Sequence, residues 1–246
     1  MMLVFRKIWA VYAVSAFLLL VLLGVPVLLF NMAATPGERA LKRNVRFLHH
    51  TIGPVFLALA GIRLKISGRT HLRPGVSYVI VANHRSSIDF IVNAVAFPGI
   101  FRFLAKQELM KIPIFGWVVK QMCLTVDRSS AMSRARSVVE IKKQLARGWS
   151  VLIYPEGGRN RTESPLAPFY DGAFRIAIQT GAPIAIQTVQ NVEAVSASVK
   201  SVDLCPGTLY IAWDEPIETA QLTAEDIPAL KEAVRNRMNV HLQHQN

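Results

Sequence analysis

Residues 78–96, YVIVANHRSSIDFIVNAVA, carry the pattern that decides the fold. Tyr78 to Ala82 is a continuous apolar run of strand length, as expected for a strand buried on both faces. A polar loop follows, and apolar residues return at helical spacing over 87–96. The same pattern recurs along the chain. Short apolar runs predict strands near Phe101 to Ala105, Met122 to Val126, Val151 to Tyr154, Ile184 to Val189 and Thr208 to Ala212. Upstream, Ile62, Leu64 and Ile66 alternate with Arg63, Lys65 and Ser67, the signature of a half-buried strand. Helices are expected over 130–147, opening at Ser130, over 170–180, and from Ala224 to Leu242, opening at Thr223. This alternation predicts an α/β fold with a mixed central sheet flanked by helices.

The first sixty residues read differently. From Trp9 to Phe30 no residue is charged, and as a helix rising about 1.5 Å per residue this run is long enough to cross a hydrocarbon core of roughly 30 Å. A cleaved signal peptide fits less well, because the run exceeds a usual h-region and no small residue stands three before a cleavage point at Ala34. After the turn signal Thr35-Pro36-Gly37, residues 38–60 predict a second helix, basic in its first half and apolar from Ile52 to Ala60. The expected organisation is therefore an N-terminal membrane-embedded helical hairpin over 1–60 and an α/β domain over 61–246. Both a spanning and a half-inserted hairpin satisfy the pattern.

Charge agrees with a lipid partner. Of the net +12, residues 1–70 hold +8, with Glu38 their single acid. The excess thus sits beside the most apolar segment, where each basic side chain adds about 1 kcal/mol of attraction to an anionic bilayer. Nucleic acid is disfavoured, since no interleaving of aromatic and basic residues accompanies the charge. Cys123 and Cys205 lack metal or redox spacing and are expected as free thiols in a reducing compartment. His49, His50, His71, His241 and His244 have no ligand partners at metal spacing and are expected at surfaces or interfaces.

The loop Asn83-His84-Arg85-Ser86-Ser87-Ile88-Asp89 lies at a strand end, where α/β sheets present side chains to ligands. On one continuous helix His84 and Asp89 would stand about 140° apart. With His84 in the loop, Asp89 in the first helical turn and Ser86 or Ser87 as cap, they can meet. An aspartate on one ring nitrogen sets the tautomer and leaves the other nitrogen to accept a proton, which is the arrangement of a general base. A second cluster, Tyr154-Pro155-Glu156-Gly157-Gly158-Arg159, follows another strand; its glycines permit close approach by a ligand and Arg159 offers a fork to phosphate. Lys106 and Val126-Asp127-Arg128 stand at two further strand ends, although singly Lys106 and Arg128 would pass for solvated surface charges. Asn160-Arg161-Thr162 matches a glycosylation sequon, a pattern common by chance.

Together these segments resemble the glycerophospholipid acyltransferases, in particular the 1-acyl-glycerol-3-phosphate acyltransferases. The Asn-His-four-residues-Asp block is matched by Asn83, His84 and Asp89. A second block is similar to Gly116-Trp117 through Val126-Asp127-Arg128, the aromatic-Pro-Glu-Gly-Thr-Arg block to Tyr154–Arg159, and a late apolar Pro block to Ala182-Pro183-Ile184-Ala185-Ile186. Order and spacing agree over roughly residues 60–215. Gly158 departs from the pattern by standing where the family has Thr, which bears on the identity of the acceptor.

The resemblance implies transfer of a fatty acyl group from a thioester donor, acyl-CoA or acyl carrier protein, to the hydroxyl of lysophosphatidic acid, giving phosphatidic acid without cofactor or metal. His84 is then the base, Asp89 its support, Arg128, Arg159 and Lys106 the phosphate ligands, and Glu156 and Gly157 shape the pocket. It implies a bilayer partner and a bacterial inner membrane, with the site on the cytoplasmic side. The adjacent serines would allow an acyl-enzyme route, but the family's direct transfer argues against one. Two other readings fit the residues: transfer to another lysolipid, such as an acyloxyacyl amino-acid lipid, and a non-catalytic basic membrane-binding protein, which would require neither His84 nor Asp89.

Overall fold

The computed structural model describes residues 2–35, 37–106, 115–126, 131–196 and 203–243. Its centre is a seven-stranded sheet of β1 (Ile62–Ser67), β2 (Val79–Ala82), β3 (Phe101–Lys106), β4 (Cys123–Val126), β5 (Ser150–Ile153), β6 (Ile184–Gln190) and β7 (Gly207–Trp213), in spatial order β1-β7-β6-β2-β5-β3-β4. All pairings are parallel except β6 with β7. The sheet is mixed, as expected, and each strand read from the sequence is present within one or two residues of its bounds.

The apolar run at β2 is explained by burial on both sides. Val79 and Val81 point into one core with Ile141, Phe174 and Val234, while Ile80 and Ala82 point into another with Phe56, Val92 and Phe101. The first core lies under α6 (Ala131–Ala146), α7 (Gly172–Thr180) and α9 (Ile227–Gln243). The second lies under α4 (Asp89–Ala96), α5 (Phe115–Met122) and the N-terminal helices. Thr223 opens the C-terminal helical segment through a reciprocal capping box with Asp226. Ser130, expected to open α6, lies outside the described residues. Two helices escaped the sequence reading: α5, which passes into β4 with no turn residue between, and the four-residue α8 (Val192–Val195).

The hairpin is built from α1 (Met2–Ala34), α2 (Glu38–Phe47) and α3 (Gly53–Leu59), with a π-helical turn, Leu48–Ile52, joining the last two. The segment expected as one helix over 38–60 therefore carries a bulge at its two histidines. Along its length α1 is fastened to the rest of the chain: Trp9 Nε1 donates to the Ala60 carbonyl at 3.1 Å, Phe17 packs edge-on to Phe56 and Phe90, and Asn31 donates to Asn44 at 3.0 Å. Ala10, Ala13, Val21 and Leu28 are buried on that flank, whereas Phe5, Ile8, Leu19, Leu22 and Phe30 on the other are exposed.

His49 corrects the sequence reading. It is fully buried against Phe101 and Phe103, and neither ring nitrogen has a hydrogen-bond partner among the described residues. Burial pushes its pKa down to about 3, because the charged ring would lose its water, with a smaller contribution from His50. His50, by contrast, is exposed and meets the Gly99 carbonyl at 2.9 Å.

Candidate active site

The crevice lies where the topology leaves room for it. After β2 the chain enters α4 on one face of the sheet and after β5 it enters α7 on the other, so the connections part to opposite faces at the carboxyl ends of adjacent strands β2 and β5. The Asn83–Asp89 loop follows β2 and the Tyr154–Arg159 loop follows β5.

His84 Nδ1 lies 2.9 Å from Asp89 Oδ2. The carboxylate is fully buried in the first turn of α4, and the same oxygen accepts the main-chain N–H groups of Arg85 at 2.7 Å and Ser86 at 2.8 Å. Asp89 thereby folds the loop back on itself as well as orienting the ring. With Nδ1–H donated to the carboxylate, Nε2 holds the lone pair, and it has no hydrogen-bond partner among the described residues. The serines do not cap in the expected way. Ile88 is the N-cap residue and makes no side-chain cap bond; Ser86 Oγ bonds Ser196 Oγ at 2.8 Å and accepts the Ile88 N–H at 3.3 Å, while Ser87 Oγ accepts from Arg159 Nη1 at 3.0 Å. Neither hydroxyl is hydrogen-bonded to His84, so neither is activated as a nucleophile.

The remaining motif residues brace the loop. Asn83 clasps β6 at two points, donating to the Val189 carbonyl and accepting the Val189 N–H, both at 2.8 Å. Glu156 accepts the His84 N–H on one oxygen and the Ala167 N–H on the other, both at 2.8 Å. Burial raises the Glu156 pKa, while the two amides and the neighbouring His84 and Arg85 oppose that rise. Glu156 thus braces the loop, with both oxygens committed to main chain. Gly157 has φ 73°, and a Cβ there would stand 2.8 Å from the Tyr170 ring, so both backbone and space require glycine. Arg85 turns away to Glu193 at 2.8 Å. Asn160 is buried and its side chain is engaged by Ser164 and Thr162, which makes the sequon a turn.

One contributor was legible only as a block member. The Tyr154 ring stacks on His84 with centroids 3.9 Å apart and planes 12° from parallel, and Asn93 Nδ2 donates to its hydroxyl at 3.0 Å. Asn93 stands one helical turn after Asp89, so α4 positions both the carboxylate and the platform under the imidazole. Burial, with Asp89 nearby, pushes the Tyr154 phenol well above its ordinary value and keeps it neutral.

The acyltransferase family model matches residues 63–189. The chain belongs to the acyltransferase family. Among the family's curated proteins, it is 32% identical over 187 residues to the human 1-acyl-sn-glycerol-3-phosphate acyltransferase alpha, a match that takes in 73% of this chain and 64% of that protein. It is 30% identical over 193 residues to the 1-acyl-sn-glycerol-3-phosphate acyltransferase of Saccharomyces cerevisiae, covering 75% of this chain and 61% of the yeast protein. The chain thus spans a little under two thirds of the length of these relatives. The crystal structure of the 1-acyl-sn-glycerophosphate (LPA) acyltransferase, PlsC, from Thermotoga maritima superposes with a TM-score of 0.81 at 17% identity, covering 100% of this chain and 99% of that one. That likeness shows a shared fold, N-terminal helices included.

Of the expected phosphate ligands, Arg159 stands beside the Asn83–Asp89 loop through Ser87. Lys106 ends β3 with its side chain outside the described part, and Arg128 lies outside the described residues altogether. Gly158 faces open space: a Cβ there would meet nothing within 4 Å. On the hairpin side, Ser86 and Ser87 border an apolar groove of about 160 Å³ lined by Val14, Phe17, Phe56, Phe90 and Leu204. Phe17, Phe90 and Ile91 also line a crevice of about 50 Å³ that ends at Val118, Met122 and Cys123. A hydrocarbon chain suits these walls.

Proposed function

We propose that this family member transfers a fatty acyl group from a thioester donor to the free hydroxyl of 1-acyl-glycerol-3-phosphate, producing phosphatidic acid. The observation that carries the reading is the 2.9 Å contact of His84 Nδ1 with buried Asp89, which leaves Nε2 without a partner among the described residues, in a loop whose Ser86 and Ser87 border an apolar groove. Nε2 takes the hydroxyl proton as the oxygen attacks the thioester carbonyl carbon, and a C–O bond forms. The tetrahedral adduct then collapses, the C–S bond breaks and the imidazolium returns its proton to the leaving thiolate. Asp89 and the Tyr154 ring face both support the transient positive charge. Acyl-CoA and acyl carrier protein both present the required thioester, and the chemistry asks for no cofactor or metal.

Arg159, with Arg128 and Lys106 at the family's motif positions, would hold the acceptor phosphate. A half-inserted hairpin is favoured over a spanning one. Although Val4–Ala34 is long and apolar enough to cross a membrane, one flank of α1 is tied to the domain along its length and only the other is exposed. The groove then opens at the depth where a lysolipid resides, on the cytoplasmic face that supplies the donor, which in a bacterium is the inner membrane.

The test is a labelled acyl donor presented to a panel of lysolipids, with wild type and His84→Ala side by side. Lysophosphatidic acid should be the preferred acceptor and the variant should lose about 10²- to 10⁴-fold in rate. A variant retaining most activity would overturn the mechanism, and preference for an amino-acid lysolipid would overturn the acceptor.

A further inference from the structure

At the opposite end of the sheet from His84, the amino ends of β2 and β5 border a second cavity, a cleft of about 440 Å³. Four cations line it: Lys42 and Arg46 from α2, and Arg69 and Arg73 from the connection between β1 and β2. Among the described residues no carboxylate lines it. Two of the cations are held in place by main chain. Arg69 donates to the Val95 and Ala96 carbonyls at the end of α4, at 2.6 and 2.8 Å, and Lys42 donates to the Arg147 carbonyl at 3.3 Å and lies over the Trp149 ring. The nearest acids, Glu38 beside Lys42 and Glu218 beside Arg73, balance half of the charge. Arg46 is exposed and has no hydrogen-bond or ion-pair partner among the described residues. Gly75 and Gly148 border the same cleft, and a Cβ on either would meet nothing within 4 Å, so the main chain there is open to close approach.

The cleft's position relative to the hairpin narrows the ligand. α2, which supplies Lys42 and Arg46, is joined to the far end of α1 by Asn44 with Asn31 and by Arg43 with Thr35. The outward flank of α1 at that end exposes Val27, Leu29, Phe30 and Met32. The order across this surface is apolar helix, basic helix, basic cleft, which is the order of a bilayer interface met from acyl chains to headgroups. Guanidinium forks with an open glycine floor suit phosphate oxygens.

We propose that this cleft binds a phosphate group, supplied by the headgroup of an anionic phospholipid, and so sets the orientation of the catalytic domain on the membrane. The assignment to lipid rests on the membrane reading given above, and the site is separate from the one that holds the acceptor.

The full chain is tested against phosphatidylcholine vesicles with and without phosphatidylglycerol, by co-sedimentation. The Arg46→Glu/Arg73→Glu double variant is compared with Arg63→Glu/Lys65→Glu, which removes the same charge from edge strand β1. The phosphatidylglycerol-dependent gain in binding should fall about tenfold or more in the cleft variant and far less in the edge variant. Activity on detergent-dispersed substrate should stay at the wild-type level in both. Equal losses in the two variants would reduce the effect to diffuse charge and overturn the cleft. If wild type binds both vesicles equally, the membrane reading survives and the lipid assignment fails. If it binds neither, both fail. Thermal unfolding with inorganic phosphate distinguishes the source: stabilisation of wild type alone, with vesicle binding unchanged by the variant, keeps the site and replaces the lipid with free phosphate. No phosphate effect and no vesicle effect would remove the site altogether.

Discussion

His84 and His49 occupy the same protein in opposite surroundings, and the regions around them explain why. The loops after β2 and β5 together surround His84 with a buried carboxylate, a stacked phenol and a clasped backbone, and Nε2 has no partner among the described residues. The π-turn of the hairpin places His49 among phenyl rings with neither nitrogen bonded. Imidazole is oriented by a carboxylate in one place and is packing material in the other. The difference lies in the partners each fold position supplies: an aspartate fixes the His84 ring through Nδ1, while desolvation without a partner holds the His49 ring neutral.

Four changes would break or sharpen that comparison. The largest effect is expected from Asp89→Asn, which keeps the shape but cannot hold the Nδ1 tautomer; activity should fall by up to about 10⁴-fold, with thermal unfolding showing whether the loop amides also loosen. Next is His49→Leu. Its folded pKa of about 3 lies below the ordinary 6.5, so the unfolded chain binds more protons between those values. Stability is therefore full above pH 6.5 and is lost as the pH falls, by up to about 1.4 kcal/mol per pH unit from this group. Unfolding midpoints measured from pH 7 to 4 should decline less steeply in the variant, with activity at pH 7 unchanged. Tyr154→Leu removes the face that supports the imidazolium and should cost about 1 kcal/mol, roughly fivefold to tenfold in kcat/KM, while moving the acidic limb of the pH–rate profile downward. Tyr154→Phe, which keeps the ring, should restore most of that loss. The smallest effect on stability belongs to Gly158→Thr, within about 0.5 kcal/mol because the site is open. Its readout is the ratio of rates on lysophosphatidic acid and other lysolipids, which should move if this position contacts the acceptor.

The strands were readable because burial on both faces demands apolar residues at every position, as in Val79–Ala82. Helix α5 was not, since Met122 passes directly into Cys123 without a glycine or proline to separate the elements. The π-turn was hidden for a related reason: one extra residue per turn leaves the apolar pattern of a helix nearly intact. In the site, His84 and Asp89 were legible from their spacing and setting. Glu156 was legible as a motif member, but its work as a two-ended brace depends on Ala167, brought to it by the return of the chain. Asn93 had a signal, its position one turn beyond Asp89, yet its partner Tyr154 arrives from another strand.

The order of strands and helices, the apolar hairpin and the spacing of histidine and aspartate were thus set by the sequence alone, because each depends on local periodicity or on neighbours a few residues away. Tertiary structure decided which histidine meets a carboxylate and which packs among phenyl rings, which partners the two serines take, and that four cations distant in sequence share one cleft. Those outcomes depend on burial and partners across the fold, where the energy of a side chain depends on what surrounds it rather than on its type.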